Sequence, residues 1–259
     1  MLDKSQLSPQ QNTTLSAAEI AKFDQMAVEW WDPAGKFKTA LAFNEARLSW
    51  IIPAIIQHFG SQSSGNNTLQ GLTVLDVGSG GGLVAEAIAR RGAQVTGIDA
   101  SAVSVEVAKR HAQLSGVHVD YRHELSAALV ERGETFDVVI NAEVVEHVPD
   151  QQQLIKECCE LVKPGGLLLL ATLNRTLKSY VIAIVGAEYV MRYLPRGTHD
   201  WRYFVKPYEL TNMANAHGCE LKDSTGMSFN LLSRQWKCSN DQAVNYIQAY
   251  TKAGPLPNH

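Results

Sequence analysis

One stretch constrains the fold more than any other: Val74-Leu75-Asp76-Val77-Gly78-Ser79-Gly80-Gly81-Gly82. A short apolar strand pattern runs straight into a glycine cluster at the start of a helical pattern. Such a turn lets backbone bend sharply and approach a ligand closely. The same texture continues downstream, with strands read over 73–77, 94–98, 117–121, 136–141 and 167–172 and helices between them. That alternation predicts an α/β fold, doubly wound, with a mainly parallel Rossmann-like sheet covered on both faces. Pro207 opens a further helix to about His217. Extended stretches near 220–228 and 229–237 then complete seven strands as an antiparallel pair.

Ahead of this core, residues 1–15 read as a polar tail. Ser16 and Glu19 form a capping box for a helix carrying Ile20, Phe23, Ala27 and Trp30, which Pro33 and Gly35 terminate. A second helix over about 40–59 presents Leu41, Leu48, Ile51, Ile52, Ile55 and Ile56. The expected organisation is a tail (1–15), a helical cap (16–71), a core (72–238) with an insertion at 174–206, and a C-terminal tail (239–259). Hydrophobic residues make up 45% and the formal charge is −3, an ordinary globular balance that opposes a generally basic nucleic-acid binder. Four cysteines without a CxxC pair suit a reduced, cytoplasmic chain. No leader is expected, and no membrane span, since no apolar run approaches ~18 residues.

Charge separates two readings of the glycine loop. Gly80, Gly82 and Ala85 satisfy the loose dinucleotide pattern. A pyrophosphate, however, would be repelled by Asp76 just before the turn. S-Adenosylmethionine carries a cationic sulfur and an ammonium and has no phosphate, so an acid beside the loop suits it. Asp99 ends the second strand, placed to bond both hydroxyls of a ribose.

In combination these motifs resemble the class I S-adenosylmethionine-dependent methyltransferases: Asp76 to Gly82, Gly97-Ile98-Asp99, Phe136 to Val139, Glu146-His147-Val148 and Leu161 to Gly166. Further stretches narrow the likeness over roughly 16–229. They are Trp30-Trp31-Asp32, Thr172-Leu173-Asn174-Arg175, Val185 to Tyr189 and Pro195 to Asp200. Together they are similar to the ubiquinone-biosynthesis O-methyltransferases. The chain departs from that pattern at Ser79, where cysteine is common, and has no matched counterpart around 236–259. The resemblance implies cofactor contacts at Arg47, Gly78, Asp99 and Ala142, with Gly80 in the same loop. Glu124, near the end of the third strand, reads either as facing the adenine or as an exposed glutamate. It implies polyprenylated catechol-type acceptors at two pathway steps, 2-polyprenyl-6-hydroxyphenol and 3-demethylubiquinol. Membership of a ubiquinone-biosynthesis complex is an expectation of the same kind.

A phenol titrates near about 10, so ionising it near pH 7 requires roughly 4 kcal/mol of differential stabilisation. Glu143, Glu146 and His147 follow the fourth strand, at the sheet edge where ligands bind. In a helical turn their spacing puts all three on one face. Three readings stand side by side. The trio holds Mg²⁺, which the resemblance implies at these positions, His147 serves as a general base without metal, or His147 is a buried histidine that fixes the loop.

The insertion at 174–206 carries six Lys or Arg against Glu188 and Asp200 and is apolar at its centre. It reads either as a lid helix or as an interfacial helix on anionic lipid. The prenylated substrate favours the second, giving peripheral association with the inner face of the membrane. Three other classes compete: a dinucleotide oxidoreductase, a non-catalytic lipid-interface protein, and a methyltransferase of soluble catechols or phenols.

Overall fold

The computed structural model describes residues 17, 20, 21, 31, 38–60, 67–182, 200–230 and 235–254. The helix expected over 16–30, with Trp30, falls almost wholly outside these, as do the 1–15 tail and residues 183–199 of the insertion.

Helix α1 (Lys38–Phe59) precedes strand β1 (Thr73–Val77), α2 (Leu83–Ala89) and β2 (Gln94–Asp99). There follow α3 (Ala102–Ser115), β3 (Asp120–His123), α4 (Ser126–Glu131), β4 (Phe136–Ala142), α5 (Gln151–Leu161) and β5 (Val162–Leu173). Helix α6 (Pro207–Asn215) leads to β6 (Cys219–Asn230), β7 (Gln235–Ser239) and β8 (Asn245–Lys252). All eight strands share one sheet, ordered β3-β2-β1-β4-β5-β8-β6-β7. The first five run parallel.

Both faces of that parallel half are covered, which is why β1 and β4 are buried almost throughout rather than on alternate residues. One core joins Ile51, Ile55, Ile88 and Ala108 of α1 to α3 to Val74, Val138 and Leu169. The other joins Leu129, Leu154, Ile155 and Leu210 of α4 to α6 to Leu75, Val139 and Leu168. Local signals set the helix ends. The Ser101 hydroxyl accepts from the Ser104 N–H to open α3, and Asp150 does the same for Gln153 in α5. Helix α1 lies antiparallel to the strands: Asn44 donates to the Leu83 carbonyl at the carboxyl edge, and His58 bonds the Gly165 carbonyl at the opposite edge. Its first turns therefore stand over the ligand-binding side of the sheet.

Two expectations are corrected. The sheet has eight strands, not seven, and within the stretch expected as a C-terminal tail Asn245–Lys252 forms β8, which inserts between β5 and β6, antiparallel to both. Asn245, Gln248, Tyr246 and Tyr250 make that strand look like surface, yet its first six residues are buried. Their polar atoms are satisfied internally. Tyr246 donates to the Val205 carbonyl at 2.9 Å, and the Gln248 amide oxygen accepts from Tyr250 at 2.7 Å. The third strand also begins three residues later than the reading from sequence.

Candidate functional site

The glycine loop is held by its neighbours in the sheet. Gly78 and Ser79 donate backbone N–H groups to the Ile98 carbonyl, and the Gly80 N–H donates to Asp99 Oδ2 at 2.8 Å. Asp99 Oδ1 accepts from the Ser101 N–H at 2.8 Å. The carboxylate thus links the glycine loop to the start of α3. Gly78 has φ 74, and a Cβ there would stand 2.3 Å from Val144 Cγ2, so only glycine fits between loop and turn.

Arg47 is buried on α1. Its Nη2 donates to Asn44 Oδ1 at 2.9 Å, and Nη1 lies 3.6 Å from Glu143 Oε1. Nε and Nη1 have no hydrogen-bond partner. Asp76, buried on β1, leaves Oδ2 without a partner as well. Burial pushes its carboxyl up to about 7, against the pull of Arg47 and the Ala85 backbone, with Asp99 adding to the rise. Ser79 Oγ, Tyr121 Oη, Asn141 Oδ1 and Glu146 Oε1 are unpartnered too. Buried polar groups are nearly always paired, so this gathering of orphans along the carboxyl edge marks a ligand-sized need. The donors fit S-adenosylmethionine: a forked cation for its carboxylate, acids for its ammonium and sulfonium, and Asp99 for its ribose.

After Ala142 closes β4, Glu143 adopts φ 60, the single non-glycine residue with positive φ among the described residues. Such a conformation costs of order 1–3 kcal/mol and concentrates at functional sites. Here it turns the chain into a one-turn 3₁₀ helix, Val145–His147. Glu146 points into the protein, where Thr172 Oγ1 donates to its Oε2 at 2.7 Å. Burial, and next Glu143, push its carboxyl up to about 8, with the Thr172 bond and Arg47 pulling the other way. His147 is half-buried, and its backbone N–H closes the turn onto the Val144 carbonyl.

The trio therefore does not assemble as a metal centre. Among the described residues, no three His, Cys, Asp or Glu side chains are arranged to hold a metal ion. The reason is local: the turn is 3₁₀ rather than α-helical, Glu143 pairs with Arg47, and Glu146 is drawn inward to Thr172. Glu124 takes the Arg132 guanidinium as its partner.

Other residues contribute as well, among them Trp31, which with Trp30 is expected from the sequence to help close the site. Trp31 donates its indole N–H to the Gly81 carbonyl at 2.7 Å and stacks on His111, with ring centroids 3.4 Å apart. It thus ties the N-terminal segment to the glycine loop. Tyr121 packs its ring against Gly97 and its hydroxyl against Gly82. Thr172 and Asn44 were findable, the first by its place at a strand's carboxyl end and the second by lying one helical turn before Arg47.

Comparison with known proteins agrees with this geometry. A methyltransferase-domain family model matches residues 75–170. The chain is 50% identical to a ubiquinone biosynthesis O-methyltransferase of Dinoroseobacter shibae, over 91% of this chain and 96% of that one. It is 48% identical to the protein of the same name from Sinorhizobium medicae, over 93% and 97%. Among solved structures, magnesium protoporphyrin IX methyltransferase from Synechocystis with bound S-adenosylhomocysteine shares the fold. The TM-score is 0.62 at 19% identity, covering 90% of this chain and 95% of that one. On sequence, fold and loop chemistry together, this chain belongs to the ubiquinone biosynthesis O-methyltransferase family and is an S-adenosylmethionine-dependent enzyme.

Proposed function

We propose that the enzyme methylates ring hydroxyls of polyprenylated catechol-type intermediates, 2-polyprenyl-6-hydroxyphenol and 3-demethylubiquinol, using the carboxyl-edge site just described. The observation that carries the cofactor side is the buried Arg47 fork, whose Nε and Nη1 make no hydrogen bond, close enough to Asp76 to pull on a carboxyl whose Oδ2 makes none either. Arg47 binds the amino-acid carboxylate, and Asp76 with the Gly78–Gly80 backbone receives the ammonium. Asp99 holds the ribose hydroxyls, and Ala142 lies alongside the cofactor. When bound, S-adenosylmethionine supplies an electrophilic methyl on a cationic sulfur.

His147 takes the proton of the acceptor hydroxyl onto its imidazole as the oxygen becomes nucleophilic, general-base help worth about 10²–10⁴ in rate. Glu143 and Glu146, expected to share that work, act as positioning residues. Glu143 orients Arg47, and Glu146 anchors the turn through Thr172. With its carboxyl pushed up by burial, Glu146 carries less negative charge beside the cofactor than an exposed glutamate would. No step runs through a metal.

Peripheral binding to the inner membrane face, and a place in a biosynthetic complex, belong to the same proposal. Leu177, Tyr180, Val181 and Ile182 are exposed at the root of the insertion. Arg175 and Lys178 tie that root to Glu209 and Asp241. No helix among the described residues is long and apolar enough to cross a membrane. Deleting 180–194 is expected to abolish co-sedimentation with anionic vesicles, and unchanged co-sedimentation overturns this part. The decisive assay is labelled methyl transfer to a short-chain prenyl catechol against unprenylated catechol. Preference for the prenylated acceptor is expected, and equal turnover of both points to a soluble-catechol enzyme instead.

A further inference from the structure

Strands β6 and β7 outgrow the sheet they belong to. The last rung joining β6 to β8 is Met227 with Asn245, level with Leu173 at the end of β5. Beyond it, Ser228, Phe229 and Asn230 pair only with Lys237, Trp236 and Gln235. This two-stranded arm therefore rises past the carboxyl edge, on the side where ligands bind in such sheets. It is pinned against the first turns of α1, where Cys238 Sγ reaches the Ala46 carbonyl at 3.4 Å.

Three aromatic rings run along this junction. Arg47 sits with its guanidinium carbon 5.4 Å from the Phe43 ring centroid. Phe43 meets Trp236 edge to face at 4.9 Å, and Trp236 meets Phe229 at 5.3 Å. The row thus starts at the guanidinium assigned to the cofactor and ends at Phe229, which is 40% exposed. The indole N–H of Trp236 has no partner.

We infer that Phe229 and Trp236 are specificity-determining residues that carry the first isoprene units of the acceptor's tail away from the reacting ring. This rests on the prenylated-phenol reading above. A prenyl chain is apolar and unsaturated at regular intervals, so flat aromatic faces suit it. The tail is attached to the reacting ring, so it must leave the pocket beside the cofactor. The aromatic row offers such an exit, continuous with the Arg47 site. No bond is made or broken along it.

The experiment compares kcat/KM for a short-chain prenyl catechol and for unprenylated catechol in the wild type, Phe229→Ala and Trp236→Leu. Melting temperature and S-adenosylmethionine affinity are recorded for each. Phe229→Ala is expected to lower kcat/KM for the prenylated acceptor by about 5–10-fold, the worth of one or two buried methylenes. Unprenylated turnover and cofactor affinity should stay within about twofold on the same scale. Trp236→Leu is expected to do the same more strongly, and if it does not fold, the exposed Phe229 position decides alone. Equal losses on both acceptors, or no loss on either, overturn the inference while leaving the substrate reading intact. A wild-type enzyme with no preference for the prenylated acceptor overturns that reading, and this inference with it.

Discussion

The two halves of the sheet are built differently. In the half running β3-β2-β1-β4, functional groups meet through short-range chain geometry, as when the Gly80 N–H finds Asp99 nineteen residues on. In the half running β5-β8-β6-β7, they meet across the chain. Phe43 touches Trp236, Asn174 donates to the Gln242 carbonyl, and Tyr246 reaches back to Val205. The first half is a cofactor cradle whose geometry follows from strand, turn and helix. The second is an acceptor wall that exists only once distant segments have packed.

The division can be broken at several points. His147→Ala is expected to cost the most, a kcat loss of about 10²–10⁴ with cofactor affinity nearly unchanged. Stopped assays and calorimetry on the same preparation test this, and a loss of affinity instead would place His147 in the cradle. Arg47→Ala should do the reverse. Removing a buried charged donor costs about 3 kcal/mol, near a hundredfold in cofactor affinity by calorimetry, with the acceptor's KM little altered.

Gly78→Ala forces a Cβ against Val144 at a positive φ, and is expected to lower stability by about 2 kcal/mol in thermal melts. If its melting temperature holds, the loop is not as tightly wedged as its geometry requires.

The pH response sharpens the comparison further. Asp76 titrates near 7 in the fold against 3.8 for the free side chain, so between these values the folded protein holds the extra proton. Stability of the cofactor-free enzyme therefore falls as pH rises through that window, and the penalty is fully present above 7. Cofactor affinity moves the other way, because a cation prefers the ionised acid, and should strengthen by up to about tenfold from pH 6 to 8. Asp76→Asn should flatten that dependence in calorimetric titrations. The smallest effect belongs to the other half. Tyr246→Phe, losing one buried hydrogen bond, should cost about 1 kcal/mol in melts and leave cofactor affinity untouched.

Much of the cradle was legible because its chemistry is compressed into a few adjacent residues. Asp76, the glycines and Asp99 announce strand, turn and ribose acid through their order alone. The reading failed where polarity and burial part company. The stretch from 239 was expected to be a tail, and only the partners Val205 and Thr211, brought in from elsewhere, make burial of its polar groups tolerable. The carboxylate–histidine turn failed for another reason. Its spacing fits one face of an α-helix, but a positive φ at Glu143 and a 3₁₀ turn send Glu146 inward instead.

Sequence alone settled the α/β class, the parallel cofactor-binding half, the preference for a cationic cofactor over a phosphate-bearing one, and the family. The first three depend on local backbone preference and on charges fixed beside one another in the chain, and the family on a resemblance carried by its motifs. Tertiary structure decided that the last strand enters the sheet, that Arg47 is buried with two nitrogens that make no hydrogen bond, that Glu146 turns inward to Thr172, and that a hairpin overhangs the carboxyl edge. All but the hairpin's own pairing are contacts between segments separated in sequence. Their free energy arises only when water has been expelled from between those segments, and no local pattern records that event.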